Sequence, residues 1–284
     1  MSLYVNPVLS EIDMGFARIG GPGLANCMFF TARAVVIAKR LNGCLMRPTW
    51  ERLGLGQWVL RERDKRLYRG LFKHGAEIEG IRKGLLLRVK RHINEGDAKA
   101  NGDGVVMVRG LKGFFSVLWD DADIIRQYFR DNILPAALIK VPADMSGEIA
   151  VHVRLGDYPS HWRTDIGWYV KAVNVVRAVY QKRNEMPLFR LFSDGSDEEL
   201  EPLLSINGVE RAFYGNALAD LVAISRCHLL IGSDSTFSGW GAFLGNVPCM
   251  FAHVHYGRPV ADASRVLISD DISEMENWIA ALRA

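Results

Sequence analysis

Three stretches of this 284-residue chain place reactive side chains directly after an apolar segment. The first reads Ile-Ala-Val-His-Val-Arg-Leu-Gly-Asp-Tyr from Ile149 to Tyr158. Ile149, Val151 and Val153 alternate with Ala150, His152 and Arg154, the period of a β-strand, so His152 and Arg154 share a face. Gly156 then permits a turn, and Asp157 can cap or orient the next element. In an open α/β sheet ligands bind at the carboxyl ends of strands, so Arg154 is placed to hold an anion, phosphate first of all. The plain alternative is a surface ion pair between Arg154 and Asp157 beside a satisfied, half-buried histidine.

The second stretch, Leu191-Phe192-Ser193-Asp194-Gly195, sets a hydroxyl and a carboxylate at the end of an apolar strand. The third, Ile231 to Ser238, reads Ile-Gly-Ser-Asp-Ser-Thr-Phe-Ser ahead of a glycine-containing helix. Backbone N–H groups at a helix N-terminus, with the hydroxyls of Ser235, Thr236 and Ser238, form a cradle for phosphate. Ordinary helix capping is the competing explanation for the same serines.

The elements that must position these residues are legible around them. From Glu148 onward strands alternate with helices: strand to Val153, helix Gly167 to Lys182, strand Leu188 to Phe192, helix Asp197 to Leu204, a short strand near Ala212 and Phe213, helix Ala217 to Arg226, strand His228 to Ile231, helix Phe237 to Leu244, strand Val247 to Phe251 and a closing helix Ser273 to Leu282. That alternation predicts a parallel sheet with helices on both faces. Upstream, Met14 to Ile19 reads as a strand, Gly20-Gly21-Pro22-Gly23 as a turn and Leu24 to Leu41 as a buried helix, the opening of a Rossmann-like unit. Asn26 stands where a dinucleotide fingerprint has its third glycine, which argues against NAD. Asp120-Asp121-Ala122-Asp123 matches a DxD metal site in form, but acids are also favoured at the start of a helix, here Ile124 to Leu138. Pro142 to Gly147 reads as a linker, giving domains 1–145 and 146–284.

Composition bounds the rest. Apolar residues make up 49% and charged residues 24%, which is ordinary for a globular protein. The start of the chain lacks the basic and apolar regions of a signal peptide and no 18-residue apolar run occurs, so a cytoplasmic location is expected, with peripheral attachment to an inner membrane left open. Cys27, Cys44, Cys227 and Cys249 form no CxxC pair and read as reduced thiols. The net charge is +3. Basic residues nevertheless crowd Arg47 to Arg91, either as a solvated helical face or as a surface for acidic substrates or anionic membranes. No nucleic-acid-binding motif accompanies them.

The string from His152 to Tyr158 resembles the HxRxGDY motif of the α-1,2-fucosyltransferases, glycosyltransferase family 11. Asp220 to His228, followed by Ser233 to Leu244, is similar to that family's second block, DLxLMSxC…NSSFSWWGAWL. Phe192-Ser193-Asp194 is similar to its FSDD segment, and Gly20 to Phe29, more loosely, to its GGLGNQLFQYA opening. This chain departs from the pattern at Leu155, Asp234, Gly239, Ala25 and Cys27. The resemblance implies a GT-B-type α/β fold of two Rossmann-like domains facing across a cleft. It also implies inverting transfer of L-fucose from a GDP-fucose donor to the 2-hydroxyl of a terminal galactose in a glycan, with no metal or other cofactor. By position, Arg154 would neutralise the diphosphate, His152 and Asp194 would lie near the nucleotide, Asp220 would read the guanine, and Ser235 and Thr236 would contact phosphate. Gly21 and Asn26 join the donor-binding set through the opening motif. Asp157 is either the base for the acceptor hydroxyl or the group that fixes Arg154. Another nucleotide sugar, or a binding protein without activity, is the alternative on the same scaffold.

Overall fold

The computed structural model of the chain describes residues 2–53, 67–75, 77–156 and 160–282. The chain divides into two compact units, Met1–Ile139 and Lys140–Ala284.

In chain order the first unit holds β1 (Leu3–Pro7), β2 (Ile12–Asp13), β3 (Arg18–Ile19), α1 (Leu24–Arg40), β4 (Cys44–Leu45), β5 (Arg52–Leu53), α2 (Gly80–Val89), β6 (His92–Asn94), β7 (Gly104–Val108) and α3 (Ala122–Asn132). Four strands form a parallel sheet in the order β4-β1-β7-β6, and β2-β3-β5 form a second, small one. Leu3 and Val5 of β1 and Val106 and Val108 of β7 pack against Ala34 and Ala38 of α1. The expected opening strand, Met14 to Ile19, is a correction: the strand that leads into α1 across the main sheet is Leu3–Pro7. Gly15 adopts φ +85° and its N–H is taken by the Asp13 carboxylate at 2.7 Å, so the apolar run turns and leaves only two residues in the small sheet. Helix Ile124 to Leu138 is likewise shortened. It stops at Asn132 because Pro135 lacks an N–H and forces Leu134 into extended backbone, after which Pro135–Leu138 forms a separate 3-10 turn.

The basic stretch is partly internal. Lys83 of α2 is fully buried, donating to Asp13 at 2.9 Å, Thr49 at 2.8 Å and the carbonyl of Arg47 at 2.9 Å. Arg47, also buried, pairs with Glu51 at 2.7 Å and Glu79 at 3.4 Å. These two cations brace the first unit from inside and do not belong to a solvated face. Arg61, Arg63, Lys65 and Arg66 lie outside the described residues.

The second unit continues with β8 (Met145–Val153), α4 (Ile166–Gln181), β9 (Leu188–Ser193), α5 (Asp197–Leu204), β10 (Val209–Arg211), α6 (Ala217–Ile224), β11 (Cys227–Ile231), α7 (Thr236–Gly245), β12 (Cys249–Phe251), β13 (Val266–Ile268) and α8 (Ile272–Ala281). All six strands are parallel, in the order β10-β9-β8-β11-β12-β13. Counted within the unit this is the 3-2-1-4-5-6 order of the Rossmann fold, whose direction of winding reverses between β8 and β11. Ile149, Val151 and Val153 of β8 join Leu191, Leu229 and Ile231 in a core covered by α4 and α8. The strand expected near Ala212 lies just earlier, at Val209–Arg211, and β13 was not expected, since Val266-Leu267-Ile268 is too short a run to stand out. Met145, placed in the expected linker, already belongs to β8.

Helix α7 sits close against α6 because glycines face it. A Cβ on Gly245 would stand 1.9 Å from the Ser225 carbonyl oxygen, and one on Gly241 would stand 2.4 Å from Ile224. That packing fixes the N-terminus of α7 beside the end of β11. Among the described residues no helix is long and apolar enough to cross a membrane.

Candidate functional site

The ends of β8 and β11, neighbours across the winding reversal, are joined by side chains. His152 Nδ1 lies 2.6 Å from Ser238 Oγ and 3.0 Å from Ser233 Oγ. The Ser233 N–H also donates to Ser238 Oγ, at 3.1 Å, and the ring of Phe237 lies 5.0 Å from that of His152. Burial, reinforced by the neighbouring charge of Arg154, pushes the His152 pKa down to about 3. A neutral imidazole therefore organises the turn between β11 and α7 from within. Tyr169 of α4 reaches the same turn, its hydroxyl beside Ser233, and burial pushes its pKa up. His152 thus holds the serines of this turn from within.

Arg154 follows directly after β8, and its side chain is a quarter exposed. Its guanidinium pairs with the Asp194 carboxylate at the end of β9, whose other oxygen accepts the Leu155 N–H at 2.9 Å. Gly156 permits this approach, since a Cβ there would stand 2.3 Å from Asp194 Oδ2. The group seen to fix Arg154 is therefore Asp194. Asp157, expected either as base or as that group, lies outside the described residues.

Ser235 caps α7, its hydroxyl accepting the Phe237 N–H at 3.3 Å, and Thr236 opens the helix. Asp220 sits in the first turn of α6 and accepts the Tyr214 N–H at 2.7 Å, while Asn216 caps the same helix through Ala219 N at 2.8 Å. The bond from Tyr214 to Asp220 braces the turn after β10. The structure thus gathers His152, Arg154, Asp194 and Ser235 at the carboxyl ends of adjacent strands of the second unit, with Thr236 opening α7 and Asp220 at the foot of α6.

Gly21 and Asn26 belong to the first unit. Gly21 has φ +83°, and a Cβ there would meet the Leu9 carbonyl oxygen at 2.1 Å. Buried Arg18 holds this loop together by donating to the carbonyls of Leu9, Gly20 and Pro22. Asn26 lies in the first turn of α1. A depression of about 440 Å³, lined by Leu9, Ser10, Gly21, Phe30 and Arg109 among others, opens where β1 and β7 end.

The Asp120 to Asp123 segment precedes and opens α3. Asp121 pairs with Arg40 at 2.6 Å and Asp123 with Arg126 at 3.3 Å, as helix-start acids do. Among the described residues no three His, Cys, Asp or Glu side chains are grouped to hold a metal ion.

Asp234 is the residue whose setting the sequence left open. Asp234 is buried; its carboxylate accepts the His255 backbone N–H at 3.0 Å and lies 2.8 Å from His255 Nδ1, and His253 Nε2 lies 3.8 Å from its other oxygen. His255 escaped the sequence reading because no motif surrounds it. The available signal was the acid itself, since a buried carboxylate calls for a compensating partner.

Two parallel α/β units, with a polar site at the winding reversal of the second, are those of the GT-B fold. Residues 109–252 match the model of Glycosyl transferase family 11, and the chain belongs to that family. Similar solved structures include the alpha-1,6-fucosyltransferase NodZ soaked with GDP-fucose, with TM-score 0.52, 14% identity, and coverage of 87% of this chain and 94% of that one. NodZ co-crystallised with GDP gives TM-score 0.53 at 14% identity, covering 87% and 93%. The selenomethionine form of NodZ from Bradyrhizobium gives TM-score 0.51 at 14% identity, covering 87% and 93%. At this identity the likeness is one of fold. No curated protein sequence matches the chain.

Proposed function

We propose that this glycosyltransferase moves L-fucose from GDP-fucose to the 2-hydroxyl of a terminal galactose in a glycan, with inversion and without a bound metal. The observation that carries the reading is the placement of Arg154 at the end of β8, two residues beyond the His152 that is bonded to the Ser233 to Ser238 turn, at the reversal of a Rossmann sheet in a family 11 chain. Such crevices hold the phosphates of nucleotide ligands.

In the reaction the acceptor oxygen bonds to C1 of the sugar while the C1–O bond to the diphosphate breaks, and the electron pair leaves on the β-phosphate. Arg154 and the amides opening α7 meet that charge. Because Asp194 holds the guanidinium in place, little reorganisation accompanies the step, and loss of one such donor typically costs about 10² to 10³ in rate. Asp220 and Asp194 lie toward the nucleoside in this reading, and Gly21 and Asn26 complete the donor set. Asp157 is the candidate to receive the acceptor proton. The acceptor itself is a galactose-terminated glycan, taken up on the first-unit side, and the enzyme works in the cytoplasm, peripheral to the inner membrane where that glycan is lipid-linked.

The test is thermal stabilisation by GDP against UDP, ADP and CMP, on the wild type and Arg154→Ala, followed by fucose transfer to a galactose-terminated acceptor. A ligand at a hundredfold excess over its dissociation constant adds about 2.7 kcal/mol of stability. A GDP-selective shift lost in Arg154→Ala, with transfer, supports the reading. An equal shift in the variant, or selectivity for another nucleotide, overturns it.

A further inference from the structure

The least expected group in the site is the carboxylate of Asp234. It sits between Ser233 and Ser235, in the turn proposed to cradle the anion, and a bare negative charge there would repel a diphosphate. The structure shows how that charge is met. Asp234 Oδ1 receives two donors from one residue, the His255 backbone N–H at 3.0 Å and the His255 ring at 2.8 Å. The pair bridges the turn after β11 and the loop after β12, the next strand of the sheet.

His255 is itself placed toward the outside. Its side chain is 50% exposed, whereas that of Asp234 is 8% exposed. Engagement of Nδ1 by the carboxylate fixes the ring so that Nε2, on the far side of the imidazole, points away from Asp234. Trp162, half exposed, lies at a ring distance of 6.3 Å and a tilt of 32°, and Tyr256 stands edge-on at 5.4 Å. His253 adds a second imidazole, 3.8 Å from the other carboxylate oxygen. The arrangement is a buried acid that orients a half-exposed imidazole at the mouth of the cradle.

We infer that His255 is a diphosphate-binding residue of this site, positioned by Asp234 and cancelling its charge. The inference rests on the donor-site reading but not on the identity of the base or the sugar. In the bound state the imidazolium donates from Nε2 to a phosphate oxygen, while Nδ1–H stays on Asp234. Arg154 and His255 then supply cationic donors from the ends of β8 and β12, on either side of the turn that follows β11. Asp234 acts through His255. Removing the imidazole alone therefore does double harm, because the ligand loses a donor and faces a carboxylate that has lost its nearer imidazole partner.

The experiment is a double-mutant cycle on the full chain, with His255→Ala, Asp234→Asn and the double variant, titrated calorimetrically with GDP and, separately, with inorganic pyrophosphate. A hydrogen bond between charged groups corresponds to roughly ten- to a hundred-fold in affinity. His255→Ala is expected to weaken both ligands by that factor. The double variant is expected to bind at least fivefold more tightly than His255→Ala, because the repelling charge has gone. Melting of the unliganded variants checks that each is folded, and Asp234→Asn keeps the shape of the side chain.

A His255→Ala protein that binds as the wild type does, or one that the second substitution fails to rescue, overturns the inference and leaves the pair as a brace between two loops. Binding of pyrophosphate together with UDP or ADP but not GDP, with rescue intact, supports the inference while removing the GDP reading. A wild type that binds neither pyrophosphate nor any of these nucleotides overturns both.

Discussion

His152 and Ser238 stand 2.6 Å apart across 86 residues of sequence, tying the last turn of strand β8 to the first turn of helix α7. The contact spans the point where the sheet reverses its winding, so one bond fixes the relative placement of the two chain segments that flank the site. It sets where the Ser233 to Ser238 amides and hydroxyls stand.

Ser238→Ala should therefore cost stability as well as activity. The substitution deprives the buried Ser233 N–H of its acceptor at 3.1 Å and His152 of its nearer hydroxyl. A buried polar group left without a partner costs about 1 to 3 kcal/mol, and that loss is expected in urea unfolding at neutral pH. A change below about 0.5 kcal/mol, within the ordinary range for surface substitutions, would show that the bridge does not hold the turn.

The same histidine gives the fold an acid-side weakness. Its pKa falls from 6.5 to about 3 on folding, so below pH 6.5 the unfolded chain takes up a proton that the native state refuses. Stability from this group is complete above about pH 6.5 and drains away as the pH falls toward 3. In denaturant unfolding at pH 7.5 and pH 5, the wild type should lose more stability on acidification, or gain less, than His152→Gln. An identical pH dependence in the variant would rule out a neutral, buried imidazole.

Glu77 works in the opposite direction. Burial raises its pKa from 4.5 to about 7, against the lowering effects of its hydrogen bond to Tyr128 and of the Arg47 charge. The native state keeps the proton that the unfolded chain releases. Its contribution is full below about pH 4.5 and is lost as the pH rises toward 7. Because this window overlaps that of His152 with opposite sign, the wild-type curve alone separates neither group. Glu77→Gln should lose less stability than the wild type between pH 5 and pH 8, measured by the same unfolding experiment. Parallel curves would contradict the raised pKa.

How much could be read before folding depends on how local each signal is. The alternation at Ile149 to Val153 and the helix Asp197–Leu204 are written in neighbouring residues, the latter opened by a capping box between Ser196 and Glu199. Arg154, His152 and Ser235 were visible because strand ends and helix starts announce themselves. Their pairings were not. Asp194 lies 40 residues from Arg154 and His255 lies 21 from Asp234, and both pairings depend on which strands become neighbours. At the N-terminus the more apolar Met14 to Ile19 outcompeted Leu3–Pro7 on composition, yet a left-handed Gly15 settles the matter through backbone geometry.

Gly156→Ala tests whether the Arg154–Asp194 arrangement serves binding. The new methyl would lie 2.3 Å from Asp194 Oδ2 and 2.8 Å from its Cγ, so the carboxylate must shift. That displaces Arg154, the Leu155 amide or both. Displacement of binding groups by about 1 Å can cost up to about a hundredfold, so GDP affinity and fucose transfer should both fall at least tenfold, with little change in unliganded melting. Unaltered affinity would mean that the pairing does not set the guanidinium's position for the ligand.

A buried lysine of the first unit supplies the strongest stability prediction. Lys83 is fully buried, and its ammonium serves Asp13, Thr49 and the Arg47 carbonyl, all within 2.9 Å. Burial lowers its pKa, and the Asp13 charge and hydrogen bond pull it back toward the charged form. Lys83→Met leaves the Asp13 carboxylate enclosed without its cation, and breaking a buried pair in this way costs about 3 to 5 kcal/mol. Replacing both partners removes the uncompensated charge. Asp13→Asn combined with Lys83→Met, which keeps an oxygen for the Gly15 N–H now bonded at 2.7 Å, should therefore recover at least about 1 kcal/mol over Lys83→Met alone. If the double variant is less stable than the single one by urea unfolding, the lysine supports the loop by its hydrogen bonds and packing, and the compensation of charge is not what keeps it there.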